Sequence, residues 1–357
     1  SEKDLVVNSL SDLKLNGVSF IRVVPWNWIS KKGLCDINHE QYLMLIDNPN
    51  SWWYYDWGNS DSSKLNTEYT PMSWGALGAD DQTDIDKYKS KKKATHVMGF
   101  NEPDNCNGQS GQWWNLCIPD TSVLYYNNLM KTGLRLVSPG CREEAWNDWL
   151  DTFNILAIQQ NTRIDVIAVH WYDWGGSPTN TPNANPQNIF NRFKNYLSNV
   201  HSLYNLPIWI TEFNGNVNRT DSVNLEFMKL ALTYLDTLSY IERYAWFSSN
   251  STCKFIDSFG NLTPIGLYYA EHKSPPSIKN NIYSNRNNLN INDEGIEYES
   301  DCKIISTNII DVNESDINKD ILMVTDILGR SIAVETKNQI LLYIYEDGTI
   351  EKKIIIE

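Results

Sequence analysis

The chain has 357 residues, 41% of them hydrophobic, with 44 acidic against 30 basic side chains and a net charge of −14. That length and composition suit one large or two smaller domains with a sizeable core. The acidity excludes a nucleic-acid binder and polybasic attachment to an anionic membrane, both of which need a basic surface, and no apolar run approaches the roughly 20 residues that span a bilayer.

Apolar runs rich in β-branched and aromatic residues recur from the N-terminus. They are VSFIRVV (18–24), WWYYDWG (52–58), TPMSWG (70–75), HVMGFNE (96–102), LRLVSPG (134–140), VIAVHWY (166–172), PIWITEF (207–213) and YAWFSSN (244–250). Helical patterns precede the last four: TSVLYYNNLMKTG, AWNDWLDTFNILAIQQN, PQNIFNRFKNYLSNVHSLY and DSVNLEFMKLALTYLDTL. Near-continuous apolar strands joined by helical crossovers imply a parallel sheet buried on both faces. Eight of them in about 250 residues is the arithmetic of an α/β fold of the (β/α)8 TIM barrel type, assigned to residues 1–272. A doubly wound sheet usually carries a Gly-rich phosphate loop, and neither GxGxxG nor a Walker pattern occurs.

All 14 tryptophans lie at or before Trp246. Ser-Pro-Pro at 274–276 and an Asn-rich stretch mark a linker over 273–295. Residues 296–357 alternate apolar and polar positions around an Asp347-Gly348 hairpin signal, which predicts a small β-sandwich-like domain. Among six cysteines, Cys106 and Cys117 bracket a short loop; they either bridge, which implies an oxidising compartment, or stay free and buried. SEKDLVV at the N-terminus lacks a signal-peptide core, so the protein is intracellular or its signal has been removed.

Two strands end in glutamates, Glu102 in VMGFNEPD and Glu212 in IWITEF. In a (β/α)8 barrel the C-terminal ends of the strands converge on one mouth. Two carboxyl groups facing each other there suit glycosidic cleavage, one protonated to assist the leaving oxygen and one ionised to attack the anomeric carbon. Asn101 is placed to hold a sugar hydroxyl, and Tyr172 to donate to Glu212. His170 and Trp171 share the end of the sixth strand. Trp26, Trp28, Trp57, Trp74, Trp171, Trp174 and Trp246 fall at or past strand ends, where aromatic planes can carry the C–H faces of sugars. Asp56 is a polar rim candidate or half of a structural ion pair with Arg22. Trp149 and Trp209 read as core residues. Five histidines without an HExxH pattern make no case for a catalytic metal, and no cofactor is expected.

GFNEPD (99–104), HWYDWGG (170–176) and WITEFN (209–214) together resemble glycoside hydrolase family 128, in the retaining (β/α)8 clan A. WWYYDWG (52–58) and LVSPG (136–140) fit the same pattern. The resemblance implies an endo-β-1,3-glucanase acting on laminarin or curdlan, with Glu102 as acid/base, Glu212 as nucleophile, and Asn101 and Tyr172 as supports. The partner is then a β-glucan, and the protein a secreted or cell-surface monomer. Alternatives are a clan relative acting on mixed-linkage glucan, mannan or xylan, and a non-catalytic carbohydrate-binding barrel. The tail, with VTDILGR (324–330) and YIYEDGTIEKKIII (343–356), resembles a type IX secretion sorting domain.

Overall fold

The computed structural model describes residues 29–35, 51–61, 67–91, 94–142, 145–146, 148–248 and 251–277, and the strands at 20–23, 296–299, 321–326, 340–345 and 350–354. The chain divides into two compact units, one over residues 25–279 and one that joins residues 3–24 to 280–357.

The first unit is an α/β fold. Eight parallel strands follow one another: β2 (Ile29–Cys35), β3 (Ser51–Tyr55), β4 (Thr67–Tyr69), β5 (His96–Met98), β6 (Arg135–Val137), β7 (Ile167–Tyr172), β8 (Ile208–Asn214) and β9 (Ile241–Trp246). Six form one sheet in the order β4-β3-β2-β9-β8-β7, and β5 pairs with β6. Isolated parallel bridges, Met72 to Met98 and Val137 to Val166, link that pair to the two ends of the larger sheet.

Between the strands lie α1 (Ala76–Asp80), α2 (Gln82–Ser90), α3 (Pro119–Tyr126), α4 (Trp149–Gln159), α5 (Pro186–Tyr204) and α6 (Asp221–Thr237), with α7 (Pro264–Glu271) after β9. The sequence of α5 explains its bounds. The Asn185 side chain accepts from the Gln187 N–H, Pro186 opens the first turn, and Asn205 closes the helix in the left-handed conformation. Its buried face, Ile189, Phe190, Phe193, Leu197, Val200 and Tyr204, recurs at helical spacing.

Two cores result. One fills the space between strands and helices. The other, strand-only in that no helix residue joins it, draws on the strands and their immediate flanks: Trp53, Tyr55, Met72, Met98, Val137, Ala168, Trp209 and Ala245 among them. At the N-terminal ends of the strands this second core is closed by a buried ion pair. Arg243 Nη2 donates to Glu68 Oε2 at 2.7 Å, and the guanidinium lies 4.2 Å from the Trp209 ring centroid. Trp209 and Trp149 are core residues, as expected.

The first strand of the sheet differs from expectation. It is ISKKGLC at 29–35, whereas Phe20–Val23 (β1), part of the run VSFIRVV, pairs antiparallel with Ile296–Glu299 (β10) in the second unit. Two lysines disguise β2. Lys31 Nζ donates to the carbonyls of Leu235 and Leu238, and Lys32 Nζ to those of Tyr269 and His272. Each ammonium thus satisfies the end of a helix, α6 or α7, where unpaired carbonyls and the helix dipole favour a cation. The proposed linker also starts too early. The Ser277 N–H donates to Ile29 O and the Lys31 N–H to Pro275 O, so residues 274–277 still lie along β2.

In the second unit, β11 (Ile321–Asp326), β12 (Ile340–Tyr345) and β13 (Ile350–Ile354) form an antiparallel sheet. β12 and β13 pair antiparallel, and the Asp347-Gly348 hairpin signal between them in sequence lies outside the described residues.

Replacing one partner of a buried ion pair strands the other charge. Arg243→Met should lower the unfolding free energy by about 3–5 kcal/mol in denaturant titration.

Candidate active site

The residues after β5 and the ends of β7 and β8 meet at the C-terminal side of the strands. Strict alternation along β7 turns Ala168, His170 and Tyr172 to one face, and Val169 and Trp171 to the helices. In β8 the alternation is interrupted. Val169 pairs with Ile210, but His170 pairs with Glu212, so Thr211 is an extra residue in the ladder. This bulge brings Glu212 to the face of Trp209 and His170, and sends Phe213 to the helix side. Without it Glu212 would point into the helices.

Glu102 follows β5 with φ +46°, a left-handed conformation that a non-glycine residue keeps only under tertiary constraint. Its N–H donates to Gly140 O at 2.8 Å. Gly140 has to be small, because a Cβ there would lie 2.9 Å from His170 Nε2.

One oxygen of Glu102, one nitrogen of His170 and one oxygen of Glu212 lie within 4.8 Å of one another, and all three residues are buried. His170 Nδ1 is 3.0 Å from Glu102 Oε1, and its Nε2 is 3.6 Å from Glu212 Oε1. Glu212 is held by three further donors: Tyr172 Oη to Oε2 at 2.5 Å, Trp57 Nε1 to Oε1 at 2.9 Å, and Tyr55 Oη to Oε1 at 3.4 Å. Trp57 itself has φ +58°. The triplet has the composition of a metal site, yet both Glu212 oxygens already accept N–H or O–H donors, which suits an oriented anion.

Burial alone would raise the Glu102 carboxyl. The hydrogen bond and charge of His170, with Arg142, outweigh it and hold the group below its ordinary value of 4.5. Burial pulls His170 down, but the charges of Glu212 and Glu102 and the bond to Glu102 lift it above its ordinary 6.5. In the free site a proton therefore rests on the imidazole in preference to Glu102. Asn101 Nδ2 donates to Gln109 Oε1 at 3.2 Å, while its buried Oδ1 accepts no hydrogen bond from the described residues.

The aromatic candidates divide. Trp57 and Trp74 are half-buried and cap the strand-only core together with Phe247. Trp171 and Trp246 belong to the helix-side core, where both pack on Phe227, so neither lines the site. Phe247, one residue past Trp246, takes the position expected of it and meets the rings of Trp57 and Tyr172. Trp174 is exposed, on a loop pinned by buried Asp173 between Arg192 and Arg219. Asp56 Oδ1 accepts from the Gly58 N–H and Tyr69 Oη. Trp26 and Trp28 lie outside the described residues. Tyr55 and Phe247 escaped the sequence reading, although alternation from Trp57 back to Tyr55 carries the signal for the first. Cys106 and Cys117 form a disulfide, while Cys35, Cys141 and Cys253 are buried thiols.

The depressed Glu102 and raised His170 give a signed pH dependence. The Glu102 contribution to stability is present above 4.5 and is lost as pH falls through its lower folded value; that of His170 is present below 6.5 and is lost as pH rises through its higher folded value. The melting-temperature difference between wild type and His170→Asn should therefore be widest between pH 4.5 and 6.5 and shrink on both sides.

The curated Alkali-sensitive linkage protein 1 of Schizosaccharomyces pombe is 29% identical over 239 residues, 61% of this chain, which spans only 39% of that relative's length. A subgroup III curdlan-specific exo-β-1,3-glucanase of family 128 from Blastomyces gilchristii, solved with glucose, superposes with TM-score 0.54 at 26% identity, over 68% of this chain and 98% of that one. A subgroup I endo-β-1,3-glucanase from Amycolatopsis mediterranei, solved with laminaripentaose, gives 0.56 at 24% identity, over 68% and 99%, and is a likeness of fold. Residues 28–269 match the glycosyl hydrolase catalytic core model, a span that begins just before β2 and ends within α7. With its paired carboxylates at the strand ends, the chain belongs to the glycosyl hydrolase catalytic core family and is a glycoside hydrolase.

Proposed function

We propose that this protein is a retaining endo-β-1,3-glucanase of family 128, built on a closed (β/α)8 barrel, with Glu212 as nucleophile and Glu102 as acid/base. The observation that carries the reading is the approach of the two carboxylates to within 4.8 Å around His170. Double displacement needs a separation of about 5–5.5 Å, whereas inversion needs about 6.5–9.5 Å to admit a water. Bridges at both ends of the six-stranded sheet, and a core drawing on every parallel strand or its flank, support barrel closure. The β-1,3-glucanases among its structural neighbours support the substrate class.

The chemistry follows from the proton on His170. A glucan chain filling the cleft removes water from Glu102, which raises its affinity for a proton. His170 Nδ1 then hands its proton to Glu102 Oε1 across their hydrogen bond. Glu212 attacks the anomeric carbon while Glu102 protonates the departing glycosidic oxygen, leaving a glycosyl ester on Glu212. In the second half, Glu102 takes a proton from the water that attacks the same carbon and frees Glu212. Tyr172, Trp57 and Tyr55 donate to Glu212 and aim it, and unpartnered Asn101 Oδ1 is free to accept from a sugar hydroxyl. The disulfide supports a secreted or cell-surface site of action. The antiparallel strands after Ile321 are compatible with a small C-terminal sorting domain, and a monomer suffices for the chemistry.

Incubation with laminarin should release reducing ends with retained anomeric configuration by early-time NMR, and with a spread of product lengths that separates endo from exo action. Glu102→Gln should lower kcat by about 10²–10⁴-fold, and Glu212→Gln should nearly abolish turnover while binding survives. Inactivity on laminarin with activity on mannan or xylan would move the substrate; inverted product would remove the mechanism.

A further inference from the structure

We infer that the disulfide-closed loop after Glu102 is an additional sugar-binding platform, on which Trp113 and Trp114 carry a pyranose ring beyond the reacting bond. The inference rests on the glycan reading above. Residues 105–118, NCNGQSGQWWNLCI, contain no charged side chain in a chain of net charge −14. They hold five amides, Asn105, Asn107, Gln109, Gln112 and Asn115, beside two exposed tryptophans. Trp113 is 52% exposed and Trp114 37%, with ring centroids 6.2 Å apart. Aromatic planes rimmed by neutral amides fit a neutral polyol, whose C–H faces need apolar cover and whose hydroxyls need donors and acceptors.

The loop is built to hold those rings still. Leu116 and Ser110 are fully buried, and Trp149 Nε1 donates to Cys117 O at 3.0 Å. Gln109, Trp114 and Asn115 all have left-handed backbones, with φ of 48°, 52° and 57°. Such conformations persist only where the surroundings impose them, and they concentrate at binding sites.

The platform is continuous with the catalytic cleft. The Ser110 N–H donates to Asn101 O at 3.1 Å, and Gln109 Oε1 receives the Asn101 amide. A Cβ on Gly75 would lie 3.0 Å from the Trp114 ring, and Gly75 follows Trp74, whose carbonyl accepts the Asn101 N–H. The two rings therefore extend the lining begun by Trp57, Trp74 and Phe247, and the occupant is the same glycan chain that reaches Glu102.

The test is titration calorimetry on the full chain carrying Glu212→Gln, with three-unit and six-unit laminari-, cello- and manno-oligosaccharides. Adding Trp113→Ala and Trp114→Ala should weaken binding of the favoured six-unit ligand roughly tenfold and leave the three-unit ligand nearly unaffected. Trp113→Tyr should keep most of the affinity. Trp113 is the more exposed ring, so Trp113→Ala alone decides the matter if the double variant melts early. Six-unit affinity unchanged by Trp113→Ala overturns the platform while the glycosidase reading stands. A parent that binds none of the oligosaccharides overturns both.

Discussion

Two carboxylates within 4.8 Å of each other repel by about 3–4 kcal/mol at the effective dielectric of a protein interior. Both can stay ionised only if a cation or a set of donors lies between or around them. His170 supplies the first and Tyr172, Trp57 and Tyr55 supply the second. The rest of the site follows from this arrangement. The imidazole has to be buried and immobile, which accounts for the bare Gly140 beneath it. Glu102 has to turn back toward it, which accounts for its left-handed backbone. The imidazole lies one hydrogen bond from Glu102, the group that delivers the leaving-group proton under the proposed mechanism.

Charge is segregated along the strands. Glu102, His170 and Glu212 gather at the C-terminal ends. At the N-terminal ends lies a network of ion pairs and hydrogen bonds: Glu68 with Arg243, Arg135 with Glu242, and Trp209 Nε1 donating to Glu242. Lys31 and Lys32 belong to this lower half, tying β2 to the ends of α6 and α7. Conserving rigidity at one end and reactivity at the other is what parallel strands allow, because every strand delivers its last residue to the same face.

Much of the fold was legible. Six of the eight parallel strands and the bounds of α5 follow from apolar runs, caps and helical spacing, since these are local properties of the chain, whereas the run TPMSWG (70–75) falls just past β4. β2 was not legible, because its lysines look solvated until the helix ends that receive them are in place. Pairing Phe20–Val23 with Ile296–Glu299 likewise joins segments far apart in sequence. In the site, Glu102, Glu212 and Tyr172 can be named from strand ends, whereas strand alternation turns Trp171 and Trp246 to the helix side, where both pack on Phe227.

The amino-acid sequence by itself determined the fold class, the two glutamates and the chemistry their spacing at strand ends suggests, because each is written in local pattern. Tertiary structure alone decided which side each of those residues faces. The bulge at Thr211 inverts the phase of β8, and no local signal announces it; hydrogen bonding to β7 imposes it, and through it Glu212 meets His170. A one-residue slip costs a strand a single ladder position but exchanges its two faces, so the meeting of Glu212 with His170 depends on a register that only the assembled sheet can set.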